Sequence, residues 1–563
     1  MNNTMKALYL YEIYYLIKPF SELGTQAKKE FELFQTGSEE RARDYYQKLN
    51  SLLNMLKEAP EQVNHFGSIL NHFEDIRSSI LSGNNRAYEM HELFRIKHFI
   101  YFYKNLCNHL TSKGLSCNFE TYKENSQYII PSRNFDSLFD LLDFDRQNSP
   151  TFYLSNHYSE KFRELKEDLV KTQSYQTRIW DNFVSKIVSE LNLEKFEETA
   201  VVSRINHELI LKLVESKYFF ISDENFANTT LKVKKEEEFL FIEEKINQIK
   251  QDLEIEAQNI RNMLTEKILL SKDKLLKAID EVGYFDLLLA KADFGRVYGC
   301  VIPEIKNNTL KFTSESKGKK SDKKGEVGIC FDGQNTFNIF LVSELNKLNI
   351  GYQKIDIKIN NKVNIITGSN MGGKTSILKT IGQLAMMLKL GLPLPAEKIS
   401  LMLFDKIFFC GPTSNEERAD LSSFGIEVIT LQNVIETKGQ NLFLLDEFGR
   451  GTNPSEGQAL FNGVMQYFTT HTETVVISAT HYNPPQNLTN CTHYQMIGLQ
   501  EGFSEEIKAN ENMGLTDKLK LIKKYMNYQP VEVTENTEIP KTALNIAELL
   551  GLEKEIILGV YNL

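Results

Sequence analysis

The feature that most constrains the fold is a glycine-rich loop, residues 368–375 (GSNMGGKT), set between an apolar run and a helical pattern. The apolar run before it, residues 363–367 (VNIIT), is typical of a buried strand, and apolar side chains recur at helical spacing through residues 376–390. Strand, loop, Lys-Thr pair and helix form the signature GxxxxGK[ST] in the context that this signature requires. A chance glycine turn before a helix would not explain both flanks, so the sequence predicts a phosphate-binding loop.

The residue types in the loop suit the binding of ATP and Mg²⁺. Glycines let backbone N–H groups turn towards phosphate oxygens, and the start of the following helix adds positive potential. Lys374 can reach the β- and γ-phosphates, and Thr375 can offer its hydroxyl to the metal. We therefore predict that the nucleotide is held by residues in and beside the loop: Gly368, Asn370, Met371, Gly372, Gly373, Lys374, Thr375 and Ser376.

Two further apolar runs end in polar residues that suit the same chemistry. Residues 442–445 precede Asp446 and Glu447, and residues 474–478 precede His481. A strand that ends in Asp-Glu is common by itself, but downstream of such a loop it indicates that Asp446 supports Mg²⁺ and that Glu447 orients or activates water. His481 is predicted to sense the γ-phosphate, although a single histidine is more often structural.

The 563 residues exceed the size of one ordinary core, so we expect several domains. Helical spacing dominates before residue 150, and two long helical patterns, residues 158–193 and 234–279, are expected to pair antiparallel around a small tip that contains strands. Short strands then alternate with helices, which predicts an α/β sheet. The expected domains are a helical core at 1–150, the long helices at 151–295 with the tip at about 194–233, the nucleotide domain at 296–510 and a helical tail at 511–563.

Composition limits the cellular compartment and the binding partners that we expect for this protein. The formal net charge of −10 gives no electrostatic reason to expect affinity for nucleic acid along the whole chain. No apolar run approaches the length of a membrane span, and the N-terminus lacks the pattern of a signal peptide. The six cysteines are scattered without a CxxC pair, so we expect a cytoplasmic protein with no zinc site and no disulfides.

Four motifs in order resemble those of the MutS family: TGSNMGGKTS (367–376), DLSSFGIEV (420–428), LLDEFGRGT (444–452) and ATHY (479–482). The Asn-Met inside the loop is more specific than a generic phosphate-binding loop. The resemblance implies a multidomain fold with an α-helical core, long lever helices, a clamp-like tip and a C-terminal α/β P-loop ATPase domain of the ABC type. It also implies that Ser422 reaches the partner's γ-phosphate and that the tail dimerises, in a homodimer or in a heterodimer with a related subunit.

Departures from the family pattern leave two functions open. The sequence shows no room for a mismatch-recognition domain and only a short tip, so we expect a short MutS-related protein that does not read mismatches. The first function is that of a clamp on branched or other non-B DNA in repair or recombination. The alternative is a protein-remodelling ATPase, such as a reactivase for a cobalamin-dependent aminomutase. Interspersed acids and bases at residues 191–240 weaken the DNA interpretation without removing it. The lysine-rich residues 314–324 predict a surface loop, with phosphate binding as the alternative.

Overall fold

The structure is a computed structural model, which describes residues 2–113, 134–307, 330–347, 351–369, 372–411, 423–486 and 488–500, together with parts of the tail between residues 514 and 556. The helices are α1 Asn2–Ala7, α2 Leu10–Leu16, α3 Glu22–Lys29, α4 Glu39–Glu58, α5 Gln62–Leu70, α6 Arg77–Ser82, α7 Met90–Ser112, α8 Asp136–Leu142, α9 Glu160–Leu191, α10 His207–Glu215, α11 Glu237–Leu269, α12 Lys272–Val297, α13 Ile339–Lys347, α14 Lys374–Lys389, α15 Ser423–Glu436 and α16 Pro454–His471. The strands are β1 Thr199–Ser203, β2 Phe219–Glu224, β3 Asn228–Val233, β4 Glu304–Ile305, β5 Phe331–Thr336, β6 Ile355–Ile359, β7 Val363–Thr367, β8 Lys398–Leu401, β9 Ile407–Cys410, β10 Leu442–Asp446, β11 Val475–Ala479, β12 Cys491–Leu499 and β13 Met526–Glu532.

The chain forms two compact units, each with helices and a sheet of its own. The first unit comprises Met1–His72, Leu110–Pro131 and Asp280–Leu563, and the second comprises Phe73–His109 and Ser132–Ile279. This division differs from the predicted domains, because the first 72 residues group with the predicted nucleotide domain. In the described part of the chain, no helix is long and apolar enough to cross a bilayer.

A six-stranded sheet organises the first unit, in the order β13-β12-β7-β11-β10-β9. Five of these strands run parallel, and β13 pairs antiparallel with β12 at one edge. The residues of β10 and β11 are all buried, as expected for parallel strands with both faces covered. The predicted strands at 363–367, 441–445 and 474–478 are confirmed to within a residue as β7, β10 and β11.

The N-terminal helices join the first unit by satisfying the end of α14. The last carbonyls of a helix have no partner within the helix and need donors from elsewhere. Tyr46 Oη in α4 lies 3.1 Å from the carbonyl oxygen of Leu388 and 3.0 Å from that of Leu392. Lys389 Nζ, itself buried, donates to the carbonyl oxygen of Phe34 at 3.0 Å. These contacts explain why the first 72 residues group with the six-stranded sheet.

In the second unit, α9 and α11 pack along one another in opposite directions, as predicted. Tyr175 Oη donates to Glu238 Oε1 at 2.9 Å, and Ser159 Oγ donates to Glu256 Oε1 at 2.7 Å, so residue numbers rise on one helix as they fall on the other. The predicted continuous helix at 234–279 is wrong, because α11 ends at Leu269 and α12 begins at Lys272. No glycine or proline marks this turn in the sequence, so the apolar period alone did not reveal it.

The tip joins α9 to α11 and consists of a three-stranded antiparallel sheet, in the order β1-β3-β2, with α10 beside it. Its buried cluster includes Ile210 and Leu213 of α10. The apolar runs at 200–202 and 218–221 (AVV and YFFI) account for the strands expected in the tip and correspond to β1 and β2, whereas β3 and α10 were not predicted.

The tail departs from the sequence expectation at one element. We expected helix from residue 511, but residues 526–532 form strand β13 at the edge of the six-stranded sheet. Pairing of β13 with β12 decides the structure here, because the alternation of Met526 and its neighbours is too short to indicate a strand by itself. Most of the remaining tail lies outside the described residues.

Two glycines inside helices, one in α14 and one in α16, test how closely each helix is packed at that position. In α14, a Cβ added at Gly382 would lie 2.6 Å from Leu444 Cδ1 and 2.7 Å from Leu8 Cδ2, whereas Gly463 in α16 has no described atom within 4 Å of such a Cβ. Gly463→Ala should raise the free energy of unfolding by about 0.5–1 kcal/mol, because alanine favours helix more than glycine does. Gly382→Ala should lower it by about 1–3 kcal/mol through overpacking. Urea unfolding measures both changes, and equal stabilisation by the two substitutions would contradict this packing.

Candidate functional site

Three neighbouring strands bring the predicted site residues to one edge of the sheet. Strand β11 lies between β7 and β10, and all three run parallel. Ala479 is paired with both Asp446 and Ile366, so the strands end at the same level. Because ligands of open α/β sheets bind outside the carboxyl ends of the strands, the sequence-distant segments after β7, β10 and β11 meet at one site.

The glycine loop has the backbone that its sequence predicts. Gly368 has φ 142° and Gly373 has φ 87°, in a region that residues with a Cβ rarely adopt. Both positions are also crowded: a Cβ at Gly368 would lie 2.8 Å from Met496 Cβ, and one at Gly373 would lie 2.9 Å from Tyr528 Cδ1. The close approach of Tyr528 was not predicted, because strand β13 was not recognised in the sequence.

Lys374 lies at the start of α14 with its side chain folded towards the loop. Its ammonium donates to the carbonyl oxygens of Gly368 at 2.7 Å and Ser369 at 3.1 Å. Burial lowers the pKa of Lys374, while the carboxylates of Glu447 and Asp446 act in the opposite direction. A desolvated cation at the mouth of such a loop interacts strongly with anionic oxygens, because the local dielectric constant is low.

Asp446 ends β10 and faces Thr375 across the site. Thr375 Oγ1 donates to Asp446 Oδ2 at 2.8 Å. The other carboxylate oxygen, Oδ1, is buried without a hydrogen-bond partner among the described residues, and the same holds for Ser369 Oγ in the loop. Burial raises the pKa of Asp446, and the hydrogen bond from Thr375 opposes this shift. Buried polar atoms are almost always paired, so these two oxygens are candidates to contact a bound ligand or water.

Glu447 follows Asp446 in a left-handed backbone conformation, with φ 54°. Its backbone N–H donates to the carbonyl oxygen of Ala479 at 2.9 Å, which holds the turn against β11. The side chain lies 3.1 Å from His481 Nε2, and Arg450 Nη1 donates to it at 3.0 Å. Non-glycine residues rarely adopt this conformation, and functional sites are where it persists.

His481 lies between the cation and the carboxylate. Its Nε2 is 3.2 Å from Lys374 Nζ and 3.1 Å from Glu447 Oε1. Desolvation and the charge of Lys374 lower the pKa of His481, whereas Glu447 raises it. A proton on Nε2 would be donated to Glu447, and without that proton the same nitrogen would accept from Lys374. The protonation of one atom therefore selects which partner the ring binds.

Two residues that support the site were not predicted from the sequence. Glu427 Oε2 in α15 accepts from the backbone N–H of Gly449 at 2.8 Å, and Tyr482 Oη donates to the carbonyl oxygen of Gly449 at 3.0 Å. A Cβ at Gly457 would lie 2.0 Å from Tyr482 Oη, so only glycine leaves room for this hydroxyl. The loop after Glu447 is thus joined to α15 and to the His481 segment. Motif spacing alone gives no signal for these contacts.

Some predicted residues lie outside the described residues: Asn370, Met371, Ser422 and the lysine-rich loop 314–324. Gly372 and Ser376 are described: Gly372 is buried beside Met496, and the carbonyl oxygen of Ser376 accepts from Thr380 Oγ1 within α14. In the described part of the chain, no group of three or more His, Cys, Asp or Glu side chains forms a cluster that could hold a metal. A metal ion here would be held by Thr375 and Asp446 together with ligand oxygens.

Comparisons with known proteins match the same part of the chain. The family model described as MutS domain V matches residues 364–553. The protein named endonuclease MutS2 from Staphylococcus carnosus is 25% identical over 334 residues, which is 58% of this chain and 39% of that protein. The protein of that name from Staphylococcus aureus is 26% identical over 365 residues, 64% of this chain and 47% of one such sequence. The chain therefore spans about two fifths to one half of the length of these relatives.

Replacing Asp446 tests the charge balance of the site. Burial raises the pKa of Asp446 in the folded state. The ionised carboxylate therefore lowers the free energy of unfolding at pH values above that pKa, and this loss disappears at pH values below the ordinary pKa of a carboxyl group. Asp446→Asn should therefore raise the free energy of unfolding at pH 7 without added metal, on the order of 1 kcal/mol, and the gain should shrink as the pH falls towards 4. Urea unfolding at several pH values measures this, with the exposed Glu456→Gln as control. A gain that does not change with pH would contradict the assignment.

Proposed function

We propose that this chain, whose residues 364–553 match MutS domain V, is a MutS-family protein and works as a dimeric Mg²⁺-dependent ATPase that acts on DNA. The observation that carries this proposal is the contact of Thr375 Oγ1 with Asp446 Oδ2 beside the buried Lys374 ammonium. The same residue types hold the phosphates and the metal in P-loop ATPases.

Residues 296–510 would form the ATPase domain, and each described side chain has a role in the reaction. Lys374 would move from the loop carbonyls to the β- and γ-phosphate oxygens of ATP. Backbone N–H groups at Gly372 and Gly373 would cradle these oxygens at the start of α14. Glu447 would orient the attacking water and accept its proton, and His481, within reach of both Lys374 and Glu447, would respond to the γ-phosphate.

Mg²⁺ fits the pair formed by Thr375 and Asp446. The metal prefers oxygen ligands and usually binds one or two protein side chains together with phosphate oxygens and water. Asp446 Oδ1 is buried and has no partner among the described residues, so it has a coordination position to offer. Bound Mg²⁺ would supply positive charge against the negative charge that develops on the phosphate oxygens. It would also offset the burial cost of the Asp446 carboxylate.

The dimer would complete the site through Ser422. This residue directly precedes α15, which begins at Ser423. The contact of Glu427 in α15 with Gly449 ties that helix to the loop after Glu447. By resemblance to the family, Ser422 would reach the γ-phosphate bound to the other subunit, where a hydroxyl at a helix N-terminus suits an anion. ATP would then favour dimer formation, and dimer formation would favour ATP binding.

The DNA role rests on family membership and on the printed names of the relatives. Those relatives are called endonucleases, and the match covers less than half of their length, so nuclease activity is not part of the proposal. We propose branched or other non-B DNA as the substrate, with ATP driving movement of the paired helices α9 and α11. Mixed charges in the second unit argue against a tight track for plain duplex. No specific observation favours the protein-remodelling alternative.

Two substitutions separate nucleotide binding from turnover. Lys374→Ala should abolish ATP binding, because it removes the buried ammonium that contacts the carbonyl oxygens of the loop. Glu447→Gln should retain binding and lower turnover at least about 100-fold, because general acid–base groups contribute about 10²–10⁴-fold. A steady-state ATPase assay with Mg²⁺, paired with equilibrium binding of labelled ATP, measures both. Hydrolysis by Glu447→Gln at the wild-type rate would contradict the role of Glu447.

Mixing inactive subunits tests the shared site. A dimer of one Lys374→Ala subunit and one Ser422→Ala subunit keeps one intact site, with ATP on the second subunit and Ser422 supplied by the first. ATPase activity should therefore recover partially on mixing, although each variant alone is inactive. The matched control mixes Lys374→Ala with Glu447→Gln, which leaves neither site intact and should recover nothing. Normal hydrolysis by Ser422→Ala alone would show that Ser422 does not complete the site.

A further inference from the structure

A second concave site lies in the second unit, in the loop between α8 and α9. The cavity has a volume of about 780 Å³, within the usual range for ligand pockets. The segment 143–157 forms most of its wall, and Lys166 of α9 closes one side. Neither the MutS domain V match nor the predicted ATPase residues include this segment.

A buried ion pair anchors this loop. Lys97 Nζ in α7 lies 2.8 Å from Asp143 Oδ1, and the two side chains are only 3% and 6% exposed. The other oxygen, Asp143 Oδ2, accepts from the backbone N–H of Asn148 at 2.7 Å. The backbone carbonyl of Asp143 accepts from the N–H of Arg146 at 2.8 Å. The loop is therefore held in one shape by buried groups, as a preorganised binding site requires.

Asp145 holds the second half of the loop. Its Oδ2 accepts from Tyr153 Oη at 2.6 Å, and its Oδ1 lies 2.7 Å from Ser155 Oγ and 2.8 Å from His157 Nδ1. These hydrogen bonds lower the pKa of Asp145 and use both of its carboxylate oxygens within the loop. The arrangement is not that of a nucleophilic triad, because Ser155 and Asp145 contact the same ring nitrogen of His157.

The loop presents two cations to the cavity. Arg146 has a left-handed backbone with φ 54° and an exposed side chain. Lys166 lines the cavity, and its Nζ lies 4.5 Å from the centre of the Phe162 ring. In the described part of the chain, neither cation is paired with an acidic side chain. Arg146 and Lys166 carry two positive charges, and Asp145 carries one negative charge whose oxygens are already hydrogen-bonded within the loop. The cavity therefore has a net positive charge, which suits an anion.

The same cavity presents aromatic rings in fixed positions. Phe144 is 47% exposed and Tyr153 is 43% exposed. The ring of Phe144 is stacked with His157, with centroids 6.4 Å apart and planes 13° from parallel, and it contacts Tyr158 at 5.1 Å. The hydroxyl of Tyr153 is bound to Asp145 and also accepts from Gln147 Nε2 at 2.7 Å. Both rings are thus held by neighbouring side chains, while a large part of each remains accessible.

We propose that this cavity binds one unpaired nucleotide of a DNA strand, with the base stacked on Phe144 or Tyr153 and the phosphate at Arg146 and Lys166. Stacking on a held aromatic ring accepts every base, because every base has a π-face, and nearby cations bind the backbone. A base inside a duplex cannot reach such a ring, since its faces are covered by neighbouring pairs. The proposal rests on the proposed DNA function and specifies that the recognised feature is an unpaired nucleotide at a branch or gap.

Fluorescence anisotropy with a labelled oligothymidine strand tests the site, at several salt concentrations and with the full chain. Phe144→Ala should weaken binding about tenfold without changing the salt dependence, because it removes stacking and no phosphate contact. The double variant Arg146→Gln and Lys166→Gln should weaken binding and reduce the slope of log K against log salt by about 0.7 for each contact removed. Arg146 is exposed and Lys166 is half-buried, and neither makes an ion pair in the described part of the chain, so this variant keeps the test valid even if Phe144→Ala disturbs the loop.

Matched controls lie on the paired helices. Phe241 of α11 is 69% exposed, and the side chain of Lys171 in α9 is 72% exposed, so Phe241→Ala and Lys171→Gln remove an aromatic ring and a lysine ammonium away from the cavity. Both controls should bind the strand as the wild type does. Equal weakening by cavity and control variants would overturn the proposal.

Competition distinguishes the possible sources of the ligand. Free thymidine monophosphate should compete only weakly, because a strand adds contacts outside the cavity, and polyglutamate should not compete. Competition by polyglutamate as strong as that by the strand would show a general anion site and overturn the proposal. If branched DNA binds equally to wild type and to all cavity variants, this inference fails and the proposed DNA function stands. If the wild type hydrolyses ATP but binds no DNA of any form, both fail.

Discussion

The parallel pairing of β7, β11 and β10 is the constraint on which the candidate nucleotide site depends. Each of the three strands ends at the same level, so the glycine loop, the Asp446-Glu447 pair and His481 meet although they are far apart in the sequence. A shift of one residue in either pairing would turn the terminal side chains to the opposite face of the sheet. The buried residues on both sides of these strands make such a shift costly, which explains how a few polar side chains can be held at hydrogen-bond distance from one another.

The site brings together two buried charged groups, although burial disfavours the charged form of each. The Lys374 ammonium and the Asp446 carboxylate are both buried, and burial shifts the pKa of each towards its neutral form. Each charge is retained through nearby partners: loop carbonyls for the lysine and the Thr375 hydroxyl for the aspartate. Burying a charged group costs folding free energy, so stability alone does not account for these two side chains. These groups and the oxygens of Asp446 and Ser369 that have no partner among the described residues are consistent with the proposed binding of a metal nucleotide.

In the second unit, buried polar groups also hold a loop in place, but the groups that the loop exposes are of other types. A buried pair, Lys97 with Asp143, holds a loop whose exposed surface carries cations and aromatic rings. In both places buried polar groups hold the backbone, and nearby groups are available for the proposed ligands. The nucleotide site uses glycines for its unusual backbone angles, whereas this loop uses Arg146 and Asn148, stabilised by hydrogen bonds to Asp143.

The sequence by itself determined those helices, strands and loops whose pattern lies within one uninterrupted stretch of residues. The glycine signature with its flanking strand and helix, the apolar runs of β10 and β11 and the antiparallel pair α9 and α11 were all predicted, because periodicity and turn chemistry are local properties. Tertiary structure alone decided the rest. Strand β13 exists because β12 supplies its hydrogen bonds, and the break between α11 and α12 carries no local signal. The Glu427–Gly449–Tyr482 contacts and the grouping of the first 72 residues with the six-stranded sheet depend on residues far apart in the chain, so no local pattern could indicate them.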